Sequence, residues 1–435
     1  MGETTTGVDL LLGSSLGRLA TSSPFGLNLK FAHHPKAKMP LFKKRQPRAL
    51  ARHGRLKVQS RASAFGGLFV KGLALAVGAA IAVSAVAVFE LSNQFKANGL
   101  TLPNSKPITA EDLKGPINIL LVGSDTRKGQ GKGYGTESST LADVMILLHI
   151  SEDRKNATAV SFPRDLMVPW PACPSTSGGP GYLPQALGQL NATIANGGPG
   201  CTLLTIEQLT GLKIPYLAMI EFNGVIEMSN AIGGVDVCVA QEINDPYTQT
   251  YLKPGEYTLQ GKAALQFLRT RHGVGDGSDL SRISNQQVFL TSLVRKIKSN
   301  GVLTNPVRLY SLANAAARNM KLSDSLTDLG TMVSLASSLK DVSLEKMVFV
   351  QVPSRGGLPA PYSGRVMPVY EQANILFQKL VNDEPIVIGK NTGQGAVVAT
   401  PTPTASTSPS ASPSPTPTDV LDLTGTDASQ TTCSN

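Results

Sequence analysis

The chain has 435 residues, 41% of them hydrophobic, with 40 lysine and arginine against 30 aspartate and glutamate side chains. This length and mixture exclude a single small module and a fibrous or fully disordered protein. The net charge of +10 belongs to one end, since residues 1–71 carry 13 basic and two acidic side chains, whereas residues 72–435 carry 27 and 28. This distribution disfavours a nucleic-acid-binding domain, which needs its cations on the folded surface.

An uncharged apolar segment follows the basic end. Gly72–Phe89 holds 18 residues without a charge, and Ala62–Val70 lengthens it across Lys71. This stretch is long enough to span a hydrocarbon core of ~30 Å, so we predict a transmembrane helix over 64–90. A cleaved signal peptide fits poorly, because a leader of roughly 60 residues would precede its apolar core. The excess of positive charge before the span predicts a single-pass cell-membrane protein with residues 1–63 as a cytoplasmic tail.

All four cysteines follow the span, on the side where disulfides persist. One bridge among Cys173, Cys201 and Cys238 is expected, and a possible Cys173–Cys201 bridge would close a Gly/Pro-rich excursion. The sequence leaves the pairing open, and Cys433 either stays free or pairs elsewhere.

Composition divides the part beyond the membrane into three segments. Residues 91–115 show little periodicity and are predicted to form a stalk. Residues 116–388 alternate apolar runs with helical patterns and form the expected folded domain. Residues 389–435 are predicted to be a disordered tail, because 17 of the 19 residues in Thr400–Thr418 are Pro, Ser or Thr.

The apolar runs within 116–388 predict an α/β domain. Short runs bounded by polar residues are typical of buried strands, and runs with helical periodicity that end at glycine are typical of helices. Strands interleaved with helices indicate helices packed on a central sheet. The predicted strands are Ile117–Val122, Val144–Ile150 and Thr158–Phe162, and the predicted helices are Cys201–Gly211, Phe222–Ile232, Lys262–Thr270 and Ser281–Ser299.

Two carboxylates lie at the ends of neighbouring predicted strands. Asp125 follows the first strand, and Asp143 begins the otherwise apolar second strand. Ligands gather at strand ends in open α/β sheets, and paired carboxylates completed by water suit Mg²⁺. The alternatives are a turn-capping role for Asp125 and a solubilising role for Asp143.

Arginines follow the third strand and the later helices. Pro163 ends the third strand and leads into Arg164 and Asp165. Downstream, Arg269 and Arg271 stand before a glycine-rich loop, and Arg282 and Gln286 are four residues apart and so share a helix face. Such a cluster forms either an internal salt-bridge network or an anion site, since guanidinium groups match phosphate oxygens. With two aspartates it suggests metal-assisted phosphoryl chemistry.

The motifs, taken in order, resemble the LytR–CpsA–Psr family over Ile117–Ile388. The matching stretches are INILLVGSDTR, LADVMILLHIS, AVSFPRD, QLNATIANGGP, EFNGVIEMSNAIGGVDV and LQGKAALQFLRTRHGVGDGSDLSRISNQQ. The resemblance implies a mixed twisted sheet sandwiched by helices. It also implies a membrane-anchored phosphotransferase that moves a glycopolymer with one phosphate from a polyprenyl-pyrophosphate carrier to a peptidoglycan sugar hydroxyl.

The resemblance assigns roles to particular residues. It makes Asp125 and Asp143 the carboxylates that hold Mg²⁺, and both are counted as catalytic with Arg164, Arg269 and Arg271. Asp165 or Asp279 is a possible base. Apolar residues beneath the site are expected to line a groove for the isoprenoid, and the candidates lie in Leu217–Ile232, although core packing is the favoured interpretation for any one of them. The expected partners are the lipid-linked glycopolymer, peptidoglycan and the membrane, without nucleic acid. The implied pyrophosphate-binding residues are Arg127, Arg164, Arg269, Arg271, Arg282 and Gln286.

The chain departs from the family pattern at three positions. Many members carry arginine where Leu141 and Asn285 stand, and a basic residue where Gln189 stands. Fewer cations would mean a different head group or slower chemistry. Two alternatives therefore stay open, a polyprenyl-pyrophosphate pyrophosphatase and a non-catalytic lipid- or wall-binding regulatory protein. The glycopolymer, whether teichoic acid, arabinogalactan or capsule, also stays open.

Overall fold

The computed structural model describes residues 61–103, 114–126, 140–175, 179–299, 302, 305–399 and 420–435, without the side chains of 61–64 and 420. The predictions for the basic tail up to residue 60, for Arg127 and for Thr400–Thr418 lie outside the described residues. Contacts divide the chain into two compact units, residues 1–70 and 71–435.

The described residues form eight α-helices and twenty strands. The helices are α1 (Arg61–Ala97), α2 (Thr193–Thr210), α3 (Phe222–Ala231), α4 (Lys262–Arg269), α5 (Asp279–Ser299), α6 (Pro306–Asn319), α7 (Leu329–Lys340) and α8 (Tyr370–Val381). The strands are β1 (Gly99–Leu100), β2 (Ile117–Ser124), β3 (Ala142–Ile150), β4 (Ala157–Phe162), β5 (Met167–Trp170), β6 (Gln185–Gln189), β7 (Tyr216–Ile220), β8 (Val235–Val239), β9 (Ile243–Asp245), β10 (Thr250–Leu252), β11 (Gly255–Leu259), β12 (Met320–Ser323), β13 (Met347–Gln351), β14 (Ser354–Arg355), β15 (Met367–Pro368), β16 (Val387–Ile388), β17 (Ala396–Val398), β18 (Val420–Leu421), β19 (Gly425–Asp427) and β20 (Thr432–Ser434).

An eight-stranded mixed sheet organises the domain, in the order β1-β12-β7-β2-β3-β4-β13-β19. The central strands β2, β3 and β4 are antiparallel, whereas β7 runs parallel to β2 and β13 parallel to β4. The three predicted strands are confirmed as β2, β3 and β4. The four predicted helices are confirmed as α2, α3, α4 and α5, although α2 begins eight residues earlier, at Thr193.

Helices cover both faces of this sheet. Side chains alternate between the faces along a strand, so Leu120 and Leu147 join a core that includes residues of α2 and α8. Ile146 and Leu148 point to the opposite face, where α5 and α7 pack. This layered arrangement confirms the predicted mixed α/β class with flanking helices.

Helix α1 carries the predicted membrane segment and then enters the folded domain. Phe65–Ala97 is long and apolar enough to cross a membrane, judged by length and composition, and the mean hydropathy of its apolar 18-residue window is 2.4. Its last turns bury Leu91 and Phe95 in a cluster with Ile117, and β1 then pairs with β12. The predicted stalk is therefore wrong for residues 91–102, because contacts distant in sequence order this stretch. The orientation of α1 across a membrane stays a prediction.

The C-terminal residues complete two sheets. Strand β19 pairs with β13, and β20 lies between β8 and β17. A disulfide joins Cys433 to Cys238 across the β20–β8 pair. The predicted disordered tail is therefore wrong for residues 420–435 and also for residues 389–399, which contain β17. The proline-rich composition ends at Thr418, and the partners of the later strands lie far away in sequence.

The predicted Cys173–Cys201 disulfide is present. It joins the loop before β6 to α2, whose backbone leaves helical geometry at Gly197 and Gly198. A Cβ on Gly197 would lie 2.7 Å from the Cβ of Cys201 and 2.8 Å from that of Cys173. Glycine at this position is therefore what lets the two cysteines approach.

Candidate functional site

Asp143 occupies a β-bulge in the centre of the sheet. Gly123 pairs with Val144 and Ser124 pairs with Ala142, which leaves Asp143 as the extra residue on β3. A bulge redirects a side chain out of the regular alternation of a strand. The half-buried carboxylate of Asp143 meets Arg164, whose Nη1 donates to Oδ1 at 2.7 Å. The predicted position of Asp143 at a strand end thus brings it into the arginine cluster.

Arg164 connects three carboxylates. Besides Asp143, its Nε lies 3.4 Å from Asp279 Oδ1 and 3.5 Å from Asp165 Oδ2. Its backbone N–H also donates to Asp279 Oδ2 at 3.2 Å. Burial opposes the charge of Arg164, but the three carboxylates outweigh burial and raise its pKa above the ordinary arginine value. The side chain is therefore a permanent cation held in one orientation.

Arg282 completes the cluster from the first turn of α5. Its Nη2 lies 2.7 Å from Asp279 Oδ1 and donates to the backbone oxygen of Asp143 at 2.9 Å. Asp279 is the first residue of α5, where a carboxylate is favoured by the helix dipole. Asp279 thus holds Arg164 and Arg282 together, and α5 fixes both relative to β3.

The remaining predicted cations lie at the end of α4. The guanidinium of Arg269 lies over the Phe222 ring, 4.5 Å from its centroid, an arrangement that favours a cation. Gln286 donates to the backbone oxygen of Leu268 at 3.1 Å. Arg271 instead turns to its own loop, where Nε donates to the oxygen of Gly277 at 2.9 Å. The structure therefore gathers Arg164, Arg269, Arg282 and Gln286 near Asp143, with Arg271 one loop away.

Asp125 caps its own loop, which matches the alternative turn-capping role for this residue. Its Oδ1 accepts from the backbone N–H of Leu141 at 2.6 Å, and its own N–H donates to the oxygen of Leu141 at 3.1 Å. These two contacts fix the end of β2 against the start of β3. The metal-binding role of Asp125 stays a prediction.

The carboxylates at this site match a magnesium ion only when substrate phosphates supply further ligands. Within the described part of the chain, no group of three or more His, Cys, Asp or Glu side chains is placed to hold a metal. Mg²⁺, however, is commonly held by one or two carboxylates together with substrate phosphates. Asp143 Oδ2 accepts no hydrogen bond from the described residues, which fits a carboxylate that would hold a magnesium ion jointly with a phosphate. The pairing of Asp143 with Asp125 in such a site stays a prediction.

Both candidate bases are held in ion pairs. Asp165 accepts from Arg365 Nη1 at 2.7 Å and from Gln189 Nε2 at 2.6 Å. Asp279 is 5% exposed and contacts both Arg164 and Arg282. Either carboxylate would lose a charge-assisted contact on accepting a proton. Their role as base stays a prediction, and these contacts oppose it.

Arg365 and Asn191 were missed by the sequence analysis. Arg365 reaches Asp165 across 200 residues of chain, from a loop that the sequence marks only by its glycine and proline. Asn191 is buried beside the cluster, and its backbone N–H donates to the oxygen of Arg164 at 3.1 Å. The motif QLNATIANGGP contained the second residue, but its spacing does not show which strand it meets.

Two of the three departures from the family pattern have structural partners. Gln189 and Arg365 bind the same oxygen of Asp165, so a cation from another segment lies next to Gln189. Asn285 is fully buried, donating to the oxygen of Phe267 at 3.0 Å and accepting from Ser434 Oγ at 2.6 Å. Strand β20 therefore occupies the space beyond Asn285. Nothing in the structure explains leucine at 141.

A cavity of about 260 Å³ opens at the cluster. One face of α5 lines it, and the lining changes along the helix from polar to apolar. Five lining residues that follow one another along this face are Arg282, Gln286, Leu290, Leu293 and Ile297. At 1.5 Å per residue this face runs ~22 Å from Arg282 to Ile297.

The opposite wall comes from the segment expected to line a groove. Residues Ile220, Phe222, Val225, Met228 and Ile232 of Leu217–Ile232 face the cavity, and Asp143 and Arg269 stand at its polar end. The prediction of an apolar groove next to the cluster is confirmed.

A buried carboxylate holds the loop that follows α4. Asp245 is fully buried and accepts from the backbone N–H groups of Arg271, His272, Tyr247 and Thr248 at 3.0 to 3.3 Å. Burial raises the pKa of Asp245, but the four N–H groups outweigh burial, and the pKa lies below its usual 3.8. The carboxylate thus fixes the arginine-bearing loop to the turn between β9 and β10.

The Asp245→Asn variant is expected to lower the free energy of unfolding by about 1–3 kcal/mol at pH 7, because the amide accepts from backbone N–H groups more weakly than the carboxylate. A depressed folded-state pKa contributes stability above the unfolded value and loses it as the pH falls through the folded value. The difference in the free energy of unfolding between wild type and variant should therefore be constant from pH 7 to about pH 5 and should become smaller below about pH 4. Denaturant unfolding at each pH measures it, with exposed Asp422→Asn as control. A constant gap down to pH 3 would contradict the assignment.

The model of the LytR_cpsA_psr family matches residues 86–376. Two curated relatives come from Corynebacterium glutamicum. Cell wall biosynthesis protein LcpA is 28% identical over 264 residues, covering 55% of this chain and 50% of LcpA. Probable cell wall biosynthesis protein LcpB is 30% identical over 248 residues, covering 55% of this chain and 56% of LcpB. The chain thus spans about half the length of these relatives.

A third relative and one solved structure extend the comparison. Polyisoprenyl-teichoic acid–peptidoglycan teichoic acid transferase TagT of Bacillus subtilis is 28% identical over 281 residues, covering 62% of this chain and 81% of TagT. The crystal structure of protein gbs0355 from Streptococcus agalactiae superposes with a TM-score of 0.53 at 23% identity, covering 64% of this chain and 91% of gbs0355. This likeness shows that the two share a fold.

Proposed function

This chain belongs to the LytR_cpsA_psr family, and from that membership and the geometry of its site we propose that it transfers a glycopolymer, with one phosphate, from a polyprenyl-pyrophosphate carrier to a sugar hydroxyl of peptidoglycan. Among its relatives, TagT is named as a transferase between polyisoprenyl-linked teichoic acid and peptidoglycan. LcpA is named as a cell wall biosynthesis protein. These names support a transferase acting on wall polymers.

The observation that carries the proposal is the amphiphilic lining of the cavity. Arginine and glutamine side chains stand at one end of the α5 face, and leucine and isoleucine continue it. A lipid with an anionic head group has the same division, and guanidinium groups recognise phosphate oxygens. Burial of a prenyl chain contributes about 0.8 kcal/mol per methylene. The arrangement supports a lipid pyrophosphate placed with its head at Asp143 and its tail along α5.

The proposed reaction is a displacement at phosphorus. The oxygen of the acceptor hydroxyl attacks the phosphorus that carries the glycopolymer and forms a new P–O bond. The bridging P–O bond of the pyrophosphate breaks, polyprenyl phosphate leaves, and the hydroxyl proton passes to a base or to solvent. Arg164 and Arg282 are already fixed by carboxylates, so they stabilise the developing negative charge without reorganising.

Magnesium is part of the proposal as the metal held by Asp125 and Asp143. When bound, it would neutralise charge on the pyrophosphate oxygens. The protein itself orients Asp143 through the bulge and Arg164. An extracytoplasmic domain anchored by α1 would keep the site beside the lipid carrier, which agrees with a helix that is able to cross a membrane.

The test uses the full chain in detergent with a synthetic prenyl-pyrophosphate glycan, a peptidoglycan fragment and Mg²⁺. Transfer that retains one phosphate is expected in the wild type, and its loss is expected in Asp143→Ala and Arg269→Ala. Calorimetric titration with Mg²⁺ alone and with phosphate reports metal binding independently of turnover. Lipid binding without turnover would contradict an enzyme, and release of the glycan phosphate to water alone would indicate a pyrophosphatase.

A bulky side chain in the apolar half of the cavity is expected to weaken the binding of donors with a long prenyl chain. Leu293→Trp should raise the KM for a long-chain donor at least about tenfold, since losing contact with two methylene groups costs about 1.6 kcal/mol. Turnover of a donor with a short prenyl chain should change less than about twofold. The matched control is Leu293→Met, which keeps the side-chain volume. Equal loss for both donor lengths would show that the cavity does not hold the chain.

A further inference from the structure

A second cavity, of about 640 Å³, lies on the far side of the loop that follows α4. Its lining is polar, in contrast to the apolar cavity along α5. It is called the polar groove here, and its side chains are those of Gln241, Glu242, Asn244, His272, Asp276, Gln394 and Asn435. Amides, carboxylates and an imidazole supply both hydrogen-bond donors and acceptors, which is what a polyhydroxylated ligand requires.

Four segments build the polar groove, and two glycines let three of them meet. A Cβ on Gly275 would lie 2.6 Å from Ser281 Oγ and 2.8 Å from the backbone oxygen of Gln394. A Cβ on Gly273 would lie 3.1 Å from the backbone nitrogen of Asn244. The residues before β9, the loop after α4 and the residues before β17 therefore converge on one concavity.

An exposed aromatic ring stands beside this concavity. Tyr247 is 80% exposed, and its ring lies 4.6 Å from that of His272, at an angle of 42°. The backbone N–H of Tyr247 and that of His272 both donate to Asp245, so a single carboxylate fixes the pair. A tyrosine offers an apolar face and a polar hydroxyl, and a pyranose ring likewise has apolar faces and a polar edge.

The charge of the lining selects among polar ligands. Its charged side chains are the carboxylates of Glu242 and Asp276, and the described lining includes neither lysine nor arginine. Hydroxyl groups of Ser278 and Ser281 outweigh burial and lower the pKa of Asp276, which keeps it ionised at neutral pH. An anionic polymer would be repelled by these groups, whereas the hydroxyl and amide groups of a neutral sugar would be bound.

The polar groove also adjoins the arginine cluster. His272 follows Arg271 and lies three residues after Arg269, which stands at the apolar cavity. On the other side, Asp276 accepts from Ser281 Oγ at 2.6 Å in the first turn of α5, next to Arg282. The short loop that lines the polar groove therefore joins the two helices, α4 and α5, that line the apolar cavity.

We propose that the polar groove, with Tyr247 as a stacking platform, binds the glycan strand that accepts the transferred polymer. The identification of the bound glycan as the acceptor rests on the proposed function, whereas saccharide binding rests on the residues of the groove itself. A glycan held there would present a hydroxyl across the α4–α5 loop to the phosphorus held by Arg164 and Arg282. The groove would set which sugar polymer the enzyme modifies.

Direct binding tests the groove without turnover. The full chain in detergent is titrated with a tetrasaccharide of alternating N-acetylglucosamine and N-acetylmuramic acid, its lactyl groups amidated. Wild type is expected to bind, and Tyr247→Ala and Gln394→Ala are each expected to bind about tenfold more weakly. Tyr370→Ala, which removes an exposed tyrosine from α8, is the matched control and should bind like wild type. Equal affinity in all variants, or no binding by wild type, would overturn the proposal.

Kinetics with the lipid-linked donor separates the two proposals. Tyr247→Ala should raise the KM for the acceptor about tenfold and change the KM for the donor by less than about twofold. Unchanged acceptor KM in an active enzyme would overturn the groove and leave the transferase standing. If wild type binds the glycan, the variants bind it more weakly and no protein shows transfer, the glycan-binding groove is supported and the transferase proposal is overturned. Stronger binding of a glycopolymer fragment than of the tetrasaccharide would overturn the acceptor assignment.

Discussion

Replacing Arg164 with lysine is expected to lower the rate of the proposed glycopolymer transfer by about 10²–10³-fold, the usual cost of losing one preorganised donor at a developing negative charge. Lysine keeps the positive charge but is a compact point charge on a flexible stem. It cannot reach Asp143, Asp165 and Asp279 together, which the planar guanidinium does over distances of 2.7 to 3.5 Å. Asp143 would then lose the contact that orients it.

The control is Arg295→Lys, another half-buried arginine-to-lysine change in the same domain. Arg295 lies on α5 and donates to the oxygen of Gln430 and to Ser292 Oγ, both outside the cluster. Its rate should stay within about fivefold of wild type, corresponding to less than about 1 kcal/mol. Initial rates with the labelled lipid-linked donor and circular dichroism spectra of both variants provide the measurement. Arg164→Lys with more than a tenth of wild-type activity would contradict the role given to this cluster.

Deleting residues 420–435 is expected to prevent stable folding of the domain. The deletion removes β19 and β20 from their sheets and the buried side chains of Leu423 and Ala428. It also removes the Cys238–Cys433 disulfide, and loss of a native disulfide typically costs about 2–5 kcal/mol. Thermal unfolding followed by circular dichroism measures the effect, and a truncated protein with wild-type stability would show that these strands are dispensable.

A single substitution tests the same region in a folded protein. Ser434→Ala leaves Asn285 Oδ1 buried without its donor, which should lower the unfolding free energy by about 1–3 kcal/mol. Asn285 lies between Arg282 and Gln286 in the chain, so the transfer rate should also fall. Thr431→Ala, at an exposed residue just before β20, is the matched control. Loss of stability without loss of rate would limit β20 to a structural role.

Local signals in the sequence were sufficient for the central elements. The apolar runs of β2, β3 and β4 and the glycine that ends α2 depend on neighbours along the chain, because periodicity and backbone conformation are local properties. Gly211 has φ of +75°, which few residues other than glycine adopt. The ends of the predicted strands and helices are also set by local sequence, so Asp143, Arg164 and Arg282, which lie at such ends, were predicted to share one region.

Those local signals do not predict the pairing of strands that are distant in the sequence. The stretch 420–435 follows a proline-rich segment and contains only short strands, whose partners β13 and β8 precede it by many residues. Leu91 and Phe95 were predicted to belong to the stalk, yet they are buried in one cluster with Ile117. A short strand or helix end is ordered by its partner, so its own composition does not predict its structure.

The amino-acid sequence by itself determined the α/β class, the three central strands, the apolar N-terminal helix and the acidic and arginine residues from which the site is made. Only the tertiary structure decided how those residues contact one another. It placed Asp143 in a bulge, turned Asp125 to Leu141 and Arg271 to Gly277, and brought Arg365 to Asp165 across 200 residues. Strand and helix patterns arise from neighbours in the chain, whereas side-chain partners arise from packing between segments that the sequence keeps far apart.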